Sequence, residues 1–516
     1  MTRQIFRLAI LPLLALAPLP AVAQAGPPSA LSWRIPGMAP PSAISADEFA
    51  TRRRALADSL GNGVYVFFGE RSPAADYMPW QQNPDFRYLT GIEEPDAALI
   101  MVRAAGRLEE RLFVPPRNPS REVWEGARLG PSGARALTRI PAEDNTRVMP
   151  VLDSLLASAT VLFAATEPVV DPPGDRNLSF DEQALGRIHG RFADLEIRPA
   201  ASALRSLRAK KSDTELDRIR RAVYVTAEAH RQAMMAAEPR MNEFEIRAIV
   251  EYFFLRNGGD GPSYASIVGS GPNSTTLHYN ADDRCMNDGE VLLFDVAAYY
   301  AGYAADVTRT IPVNGRFSAA QRDIYQIVLA AQKAAEQQIR PGAKWADLNG
   351  AANAEIASGL VMLGLIDAPD ATYDCGAGAS ARKCPQYRLF YLHGLGHGVG
   401  LEVHDPDIST SAGFQPGSAV TIEPGVYVRS DALDYLPDTP SNREMISRLR
   451  PVIGKYAGTG VRIEDVYIMD ANGVERASRG APREIDEIEA LMRESAPAAS
   501  DRRADVVAWR CPAVRT

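Results

Sequence analysis

Six histidines serve the whole 516-residue chain, and three of them, His393, His397 and His404, fall in the stretch LHGLGHGVGLEVHD. Gly394, Gly396, Gly398 and Gly400 alternate among them. Histidines four apart on a helix can bind a metal ion. Each glycine, however, costs a helix about 1 kcal/mol relative to alanine. The stretch is therefore read as extended or looping backbone that runs close to something else, an approach glycine permits. Further ligands would come from acids in apolar surroundings. Asp295 and Asp306 flank a turn expected at residues 300–302, which sets them roughly opposite each other, with Cβ atoms about 5 Å apart. Two buried carboxylates so placed repel unless cations lie between them. Glu423 follows the run Val-Thr-Ile in mid-strand, and Glu464 sits in VRIED. An ionised glutamate inside such a strand is costly unless paired or metal-bound. Period-two alternation puts Arg462 and Glu464 on one face. Taken singly, each residue reads as a solvated face, a salt bridge or a core histidine. Four apolar-flanked acids with a glycine-framed histidine cluster point to a metal centre. Oxygen-rich donors with one imidazole suit Mn²⁺ or a similar divalent ion better than a structural zinc.

These side chains need elements to hold them. SADEFATRRRALADSL reads as a helix with Ser45 as its N-cap. GVYVFFG, AALIMVR and ATVLFAA are short, β-branched and aromatic, and read as strands. Alternation of strands and helices to about residue 205 gives a first α/β domain, 45–205. Ser212 and Glu215 then form a capping box. Leu216, Ile219, Val223 and Ala227 follow at helical spacing, so a long helix opens a second domain, 206–480. Within it EVLLFDVAAYYAGYAADVTRTI reads as a β-hairpin, while SAVTIEPGVYV and GVRIEDVYIMD read as single strands. The fold class is α/β (α+β), and no repeat at solenoid or propeller period is present.

The motifs resemble those of the metallopeptidase family that contains Xaa-Pro aminopeptidase (aminopeptidase P), prolidase and methionine aminopeptidase. The likeness rests on LHYN with His278, DVTRTIPVNGRFSAAQRDIYQIVL, HGLGHGVGLEVHD, TIEPGVY and RIED. NPDFRYLTGIEEPDAALIMV and REVWEGARLGP are similar to the aminopeptidase P N-terminal domain. Together they cover roughly residues 45–475. The resemblance implies a pita-bread catalytic domain and two divalent metal ions, Mn²⁺ first, with Co²⁺ or Zn²⁺ as alternatives. It implies Asp295, Asp306, His397, Glu423 and Glu464 as ligands, in that chain order. Glu423 would also act as the base towards a water acidified between the two cations. His278 and His404 would steady the scissile carbonyl, and His393 would shape the proline-side pocket. Arg462 would steer a substrate carboxyl group or pair with a metal-bound glutamate. The implied substrates are peptides with an Xaa-Pro N-terminus, and the implied assembly is a homo-oligomer, a dimer or tetramer. Two other readings stay open: a prolidase acting on Xaa-Pro dipeptides only, and a non-catalytic peptide-binding homologue. Loss of metal ligands would mark the latter, and here all five are present. The chain departs from the family pattern in longer segments at 367–388 and 429–460 and in an extension at 481–516.

The ends and the composition bound the rest. Arg3 and Arg7, an apolar run from Leu8 to about Leu19, and Ala21-Val22-Ala23 have the layout of a signal peptide, residues 1–23. The run falls short of the roughly 20 residues that span a bilayer, and Pro12 and Pro18 interrupt it. The mature protein is expected to be exported, to the periplasm or beyond, and free of the membrane. A Pro-, Ala- and Ser-rich leader, 24–44, precedes the first domain. A net charge of −8 gives no electrostatic case for nucleic-acid binding. Export permits disulfides. Of Cys285, Cys375, Cys384 and Cys511, the pair Cys375 and Cys384 brackets a small flexible segment and is expected to bridge.

Overall fold

The computed structural model describes residues 35, 37, 40–73, 80–169, 178–376, 378–408 and 413–494. The expected signal peptide, most of the leader, Cys511 and the tail from 495 lie outside the described residues.

The first half builds one six-stranded sheet. Its strands are β1 (Gly63–Phe68), β2 (Ala98–Ala104), β3 (Arg107–Val114), β4 (Ala142–Asp144), β5 (Val161–Ala164) and β6 (Glu196–Pro199). They lie in the order β4-β3-β2-β1-β5-β6. The three expected strands are all present. The helix Ala46–Leu60 starts at Ser45, whose hydroxyl accepts from the Glu48 amide. The helix Ala201–Ala209 runs across the boundary expected at 205/206, so the joint between the halves lies at Lys210–Ser212. The next helix, Asp213–Ala236, opens with the expected Ser212–Glu215 capping box. It buries Leu216, Ile219, Val223 and Ala227.

The second half sets small antiparallel sheets under this helix and the helices Glu243–Arg256, Ala319–Glu336 and Trp345–Met362. The expected hairpin is present with its turn at Ala301 and Gly302, both left-handed (φ 47° and 81°). It is interrupted, however. It comprises β9 (Val291–Asp295), β10 (Ala298–Tyr300), β11 (Tyr303–Ala304) and β12 (Thr308–Pro312). β9 pairs with β12 and also with β8 (Ile267–Ser270), and β10 with β11 and β7 (Gly261–Pro262). Asp295 faces Thr308, and Tyr299 faces Ala304. The same register carried across the gap puts Asp306 opposite Ala297, two residues along from Asp295. The expected direct opposition is thus a diagonal one, on a single face of the hairpin.

The two long strands expected around Glu423 and Glu464 are likewise each broken in two. They form β15 (Ala419–Ile422) with β16 (Gly425–Val428), and β17 (Thr459–Arg462) with β18 (Asp465–Asp470). Pro424 has no N–H for a ladder. Ile422 faces Asp465 and Gly425 faces Arg462, so the register carried across the break sets Glu423 opposite Glu464. Breaking the strands frees carbonyl groups inside the core, where each needs a donor. One side chain serves both breaks: Gln332 Nε2 donates to Ile422 O (3.2 Å) and Ile463 O (3.0 Å). Buried Arg309 donates to Glu464 O at 2.6 Å and to Asp465 Oδ1 at 2.6 Å.

The two extra segments pack on each other. Residues 367–388 contain the hairpin β13 (Thr372–Gly376) and β14 (Arg382–Pro385), closed by a Cys375–Cys384 disulfide. Residues 429–460 contain the helix Pro440–Tyr456. Buried Asn442 of that helix accepts from Asp374 N (3.0 Å) and donates to Asp374 O (2.9 Å). Beyond residue 480, the helix Ile485–Leu491 buries Ile485, Ile488 and Leu491 in the catalytic core, so the packed domain continues into the expected extension. No helix among the described residues is long and apolar enough to cross a membrane.

Gln332→Leu keeps the bulk but removes the donor that Ile422 O and Ile463 O share. A buried unpaired group costs about 1–3 kcal/mol. Scanning calorimetry should show the catalytic domain melting roughly 5 °C lower. An unchanged transition would mean that the breaks do not depend on this amide.

Candidate metal centre

The strand breaks converge on one cavity of ≈ 290 Å³, lined by all five expected ligands and by His278, His393, His404 and Arg462. Three overlapping groups of donors form there, each with its ligand atoms within 4.8 Å of one another. One is Asp295, Asp306 and Glu464; a second is His397, Glu423 and Glu464; a third is Asp306, His397 and His404. Asp306, His397 and Glu464 each belong to two of the three groups.

The 392–405 stretch has no helix, as the glycines predict. A Cβ at Gly396 would collide with the Thr421 carbonyl, and one at Gly398 with that of Asp405. Glycine is what lets this segment press against β15. Gly394 meets no such obstacle. His397 Nδ1 lies 2.9 Å from Gly398 O. A carbonyl only accepts, so Nδ1 carries the proton and Nε2 offers a lone pair to the centre. Nε2 stands 3.4 Å from Asp306 Oδ2 and 3.5 Å from Glu423 Oε1.

The electrostatics describe a site short of positive charge. Burial, with repulsion from neighbouring acids, pushes the Asp306 and Glu464 carboxyls up and Glu423 to about 7. Burial works against a charged His397, yet the hydrogen bond and charge of Asp306 override it and raise it to about 9. Glu464 Oε1 is buried and has no hydrogen-bond partner. An orphaned carboxylate oxygen among like charges fits divalent cations, and the oxygen-rich donor set fits them too.

The other expected residues fall into two kinds. His278 and His404 are exposed at the cavity, and the His404 ring lies 4.3 Å from that of His397. His393 Nδ1 lies 2.7 Å from Gly394 O, so its Nε2 accepts from Tyr427 Oη at 2.7 Å. Burial and nearby Arg462 push it down to about 3, so His393 is neutral. Arg462 is 3% exposed and spends its guanidinium on Asp295 Oδ2 (2.6 Å), Tyr427 Oη (2.9 Å) and Thr308 Oγ1 (3.1 Å). Its ion pair is with the Asp295 carboxylate, while it also lines the cavity. Its expected shared face with Glu464 is realised at Thr308, whose hydroxyl donates to Glu464 Oε2 at 2.7 Å.

Sequence reasoning missed Thr308, Tyr427 and Tyr264. The Tyr264 hydroxyl reaches both Asp295 Oδ1 and Asp306 Oδ1 (2.6 Å for the latter). Thr308 and Tyr427 lie in motifs already singled out, at even spacing from Asp306 and Glu423. Tyr264 is remote in sequence and carried no signal. Thr308→Val is nearly isosteric and removes only the hydroxyl between Glu464 and Arg462. Losing such a support typically weakens metal affinity about 10–100-fold. Titration of metal-free protein with Mn²⁺ checks this, and an unaltered affinity would show that Thr308 only fills space.

Comparison with known proteins agrees with this geometry. Residues 217–471 match the family described as metallopeptidase family M24, and residues 49–163 match the aminopeptidase P N-terminal domain. The Xaa-Pro aminopeptidase of Haemophilus influenzae is 34% identical over 455 residues, 86% of this chain and 97% of that protein. That of Escherichia coli is 33% identical over 469 residues, 87% of this chain and 98% of that protein. Escherichia coli aminopeptidase P solved with the inhibitor Pro-Leu superposes with a TM-score of 0.72 at 31% identity, over 89% of this chain and 100% of that one. A zinc-substituted form of the same enzyme in complex with product gives the same TM-score over 87% of this chain and 99% of that one. The mixed α/β architecture is thus an aminopeptidase P-type N-terminal domain followed by a pita-bread domain, and the chain belongs to the M24 metallopeptidases, in the Xaa-Pro aminopeptidase family.

Proposed function

We propose that this protein is an exported aminopeptidase that removes the first residue of peptides with proline second, using two divalent cations. The observation that carries the reading is the pair of donor groups that share Glu464. Asp295 and Asp306 would hold one side of the centre, His397 and Glu423 the other, with Glu464 between. Mn²⁺ suits these donors best, with Co²⁺ or Zn²⁺ as alternatives. When bound, the cations would supply Lewis acidity and make a water nucleophilic near neutral pH.

The chain's own groups do the rest. Glu423 takes a proton from the attacking water at its carboxylate and returns one to the departing proline nitrogen. His404 and His278 face the cavity from its open side and donate to the peptide carbonyl oxygen as it gains charge. Neutral His393 lines the cavity and offers a ring against which a proline ring can pack, with buried Tyr427 behind it, ring centroids 5.5 Å apart. Arg462 keeps Asp295 and Tyr427 in register from behind. The relatives are Xaa-Pro aminopeptidases, which supports peptide trimming over a dipeptide-only prolidase. The full donor set argues against a binding-only homologue. A homo-oligomer, a dimer or tetramer, is part of the same proposal and is read by sedimentation.

Chelation should abolish hydrolysis of Xaa-Pro-Xaa peptides, and Mn²⁺ should restore it; full activity of protein proven metal-free would end the two-cation reading. Parallel assay of Xaa-Pro dipeptides should show the longer peptides preferred. Glu423→Gln should lose about 10²–10⁴-fold in turnover at saturating Mn²⁺. His397→Ala should lose metal content along with activity.

Export is proposed from the amino-terminal layout alone. Mature protein should begin near Gln24 or Gly26. Amino-terminal sequencing of material from the periplasm or medium decides this, and an intact Met1 there would refute it.

A further inference from the structure

The loop that carries His404 is tied down by residues outside the centre. Gly398 and Asp405 pair across its neck, Asp405 N donating to Gly398 O at 2.9 Å. His397 stands at one foot and His404 at the other. Among the described residues, Val403 and His404 make no backbone hydrogen bond to the sheets, so what holds His404 in place must come through its neighbours. Asp405 is buried, and both its oxygens are taken by cations. Oδ1 accepts from Arg208 Nη2, and Oδ2 lies 2.9 Å from Lys211 Nζ. Lys211 Nζ also donates to Pro406 O at 2.7 Å. Arg208 and Lys211 are 5% and 4% exposed; Lys211 sits at the joint between the two halves, and Arg208 in the last turn of the helix that leads into it. Arg208 further reaches Asp85 Oδ1 of the first half (2.8 Å) and Glu402 Oε2 of the loop itself (2.6 Å). Gly400 makes the arrangement possible, since a Cβ there would collide with Asp405 Oδ2 and Lys211 Cε. None of Arg208, Lys211 and Asp405 lines the cavity of the metal centre.

We propose that Arg208, Lys211 and Asp405 form an ionic latch that fixes His404 against His397, making them positioning residues for hydrolysis. The inference rests on the role given above to His404. Its physical basis is the cost of a buried unpaired charge. With Lys211 neutralised, Asp405 keeps Arg208 on Oδ1, but its Oδ2 is left in a dry place without a cation, and the cheapest relief is for the loop to swing Asp405 towards water. His404, the adjacent residue, moves with it. A displacement near 1 Å of a group that must meet the reacting carbonyl costs on the order of 10²-fold in rate. Through Asp85, the latch also makes the position of His404 depend on how the first half is seated on the second.

The test uses the full-length Mn²⁺-loaded enzyme and a double-mutant cycle. Lys211→Met keeps the stem and removes the charge. It should lower kcat about 10–100-fold, with KM and metal stoichiometry nearly unchanged, and Lys211→Arg should restore much of the loss. Placed on His404→Ala, the same substitution should add almost nothing, because the group it positions is gone. Asp405→Asn, which keeps the shape, should behave alike and serves if Lys211→Met does not fold. A costly His404→Ala with a silent or fully additive Lys211→Met overturns the latch and leaves the role of His404 standing. A silent His404→Ala overturns that role and the latch with it.

Discussion

Carboxylates that must stay together in a dry place govern this structure. Two such charges about 4 Å apart repel by about 4 kcal/mol at the effective dielectric of a protein. Here Asp295, Asp306, Glu423 and Glu464 share one cavity. A regular sheet could not bring them there, because strands alternate their side chains and hold them at fixed spacing. The backbone therefore leaves its ladder where the acids sit. Asp295 ends β9, Asp306 lies between β11 and β12, and Glu423 and Glu464 lie in the two facing breaks. Each break exposes peptide groups that the core must pair again: Gln332 and Arg309 donate to its carbonyls, and the Thr308 carbonyl accepts from Glu464 N at 3.0 Å.

That constraint also separates what could be read in the sequence from what could not. The acids that share the cavity were legible because acids in apolar runs are costly, and the open backbone at the glycines was legible because a helix there is costly. The hairpin and its turn were legible from spacing. The interruptions were not, since Val-Thr-Ile-Glu-Pro-Gly-Val-Tyr-Val has the composition of a continuous strand and only Pro424 hints at a stop. Their cause is the charge of residues on other strands, which no local window contains. Arg462 was seen, but its pairing with Asp295, 167 positions away, was not, for the same reason. Tyr264 and Gln332 carried no signal, because an unremarkable side chain becomes a support only through what folds beside it.

The segments longer than the family pattern show the same dependence on distant residues. In sequence the regions 367–388 and 429–460 are two unrelated excursions. In the structure one disulfide-closed hairpin rests on one helix through Asn442, and Arg448 pairs with Asp367 (2.9 Å). The hairpin leads directly into the His393 wall: Arg388 donates to His393 O at 2.9 Å and packs over the rings of Tyr387 and Tyr391. The two segments thus brace the His393 side of the cavity from outside.

The histidines of the glycine-laced stretch end in opposite states for a physical reason. Both His393 and His397 give their Nδ1 proton to the carbonyl of the next residue, so both turn Nε2 inward. What faces Nε2 then decides the outcome. His397 meets Asp306 and Glu423, whose charges favour a proton or, equally, a cation. His393 meets a phenol that is itself held by the Arg462 guanidinium, so positive charge already stands behind it and a proton is refused. One backbone device, repeated at two positions with different neighbours, yields an imidazole turned to the acids at one and a neutral aromatic wall at the other. Burial first, and then the Arg462 guanidinium, keeps His393 neutral, while Asp306 and Glu423 outweigh burial at His397.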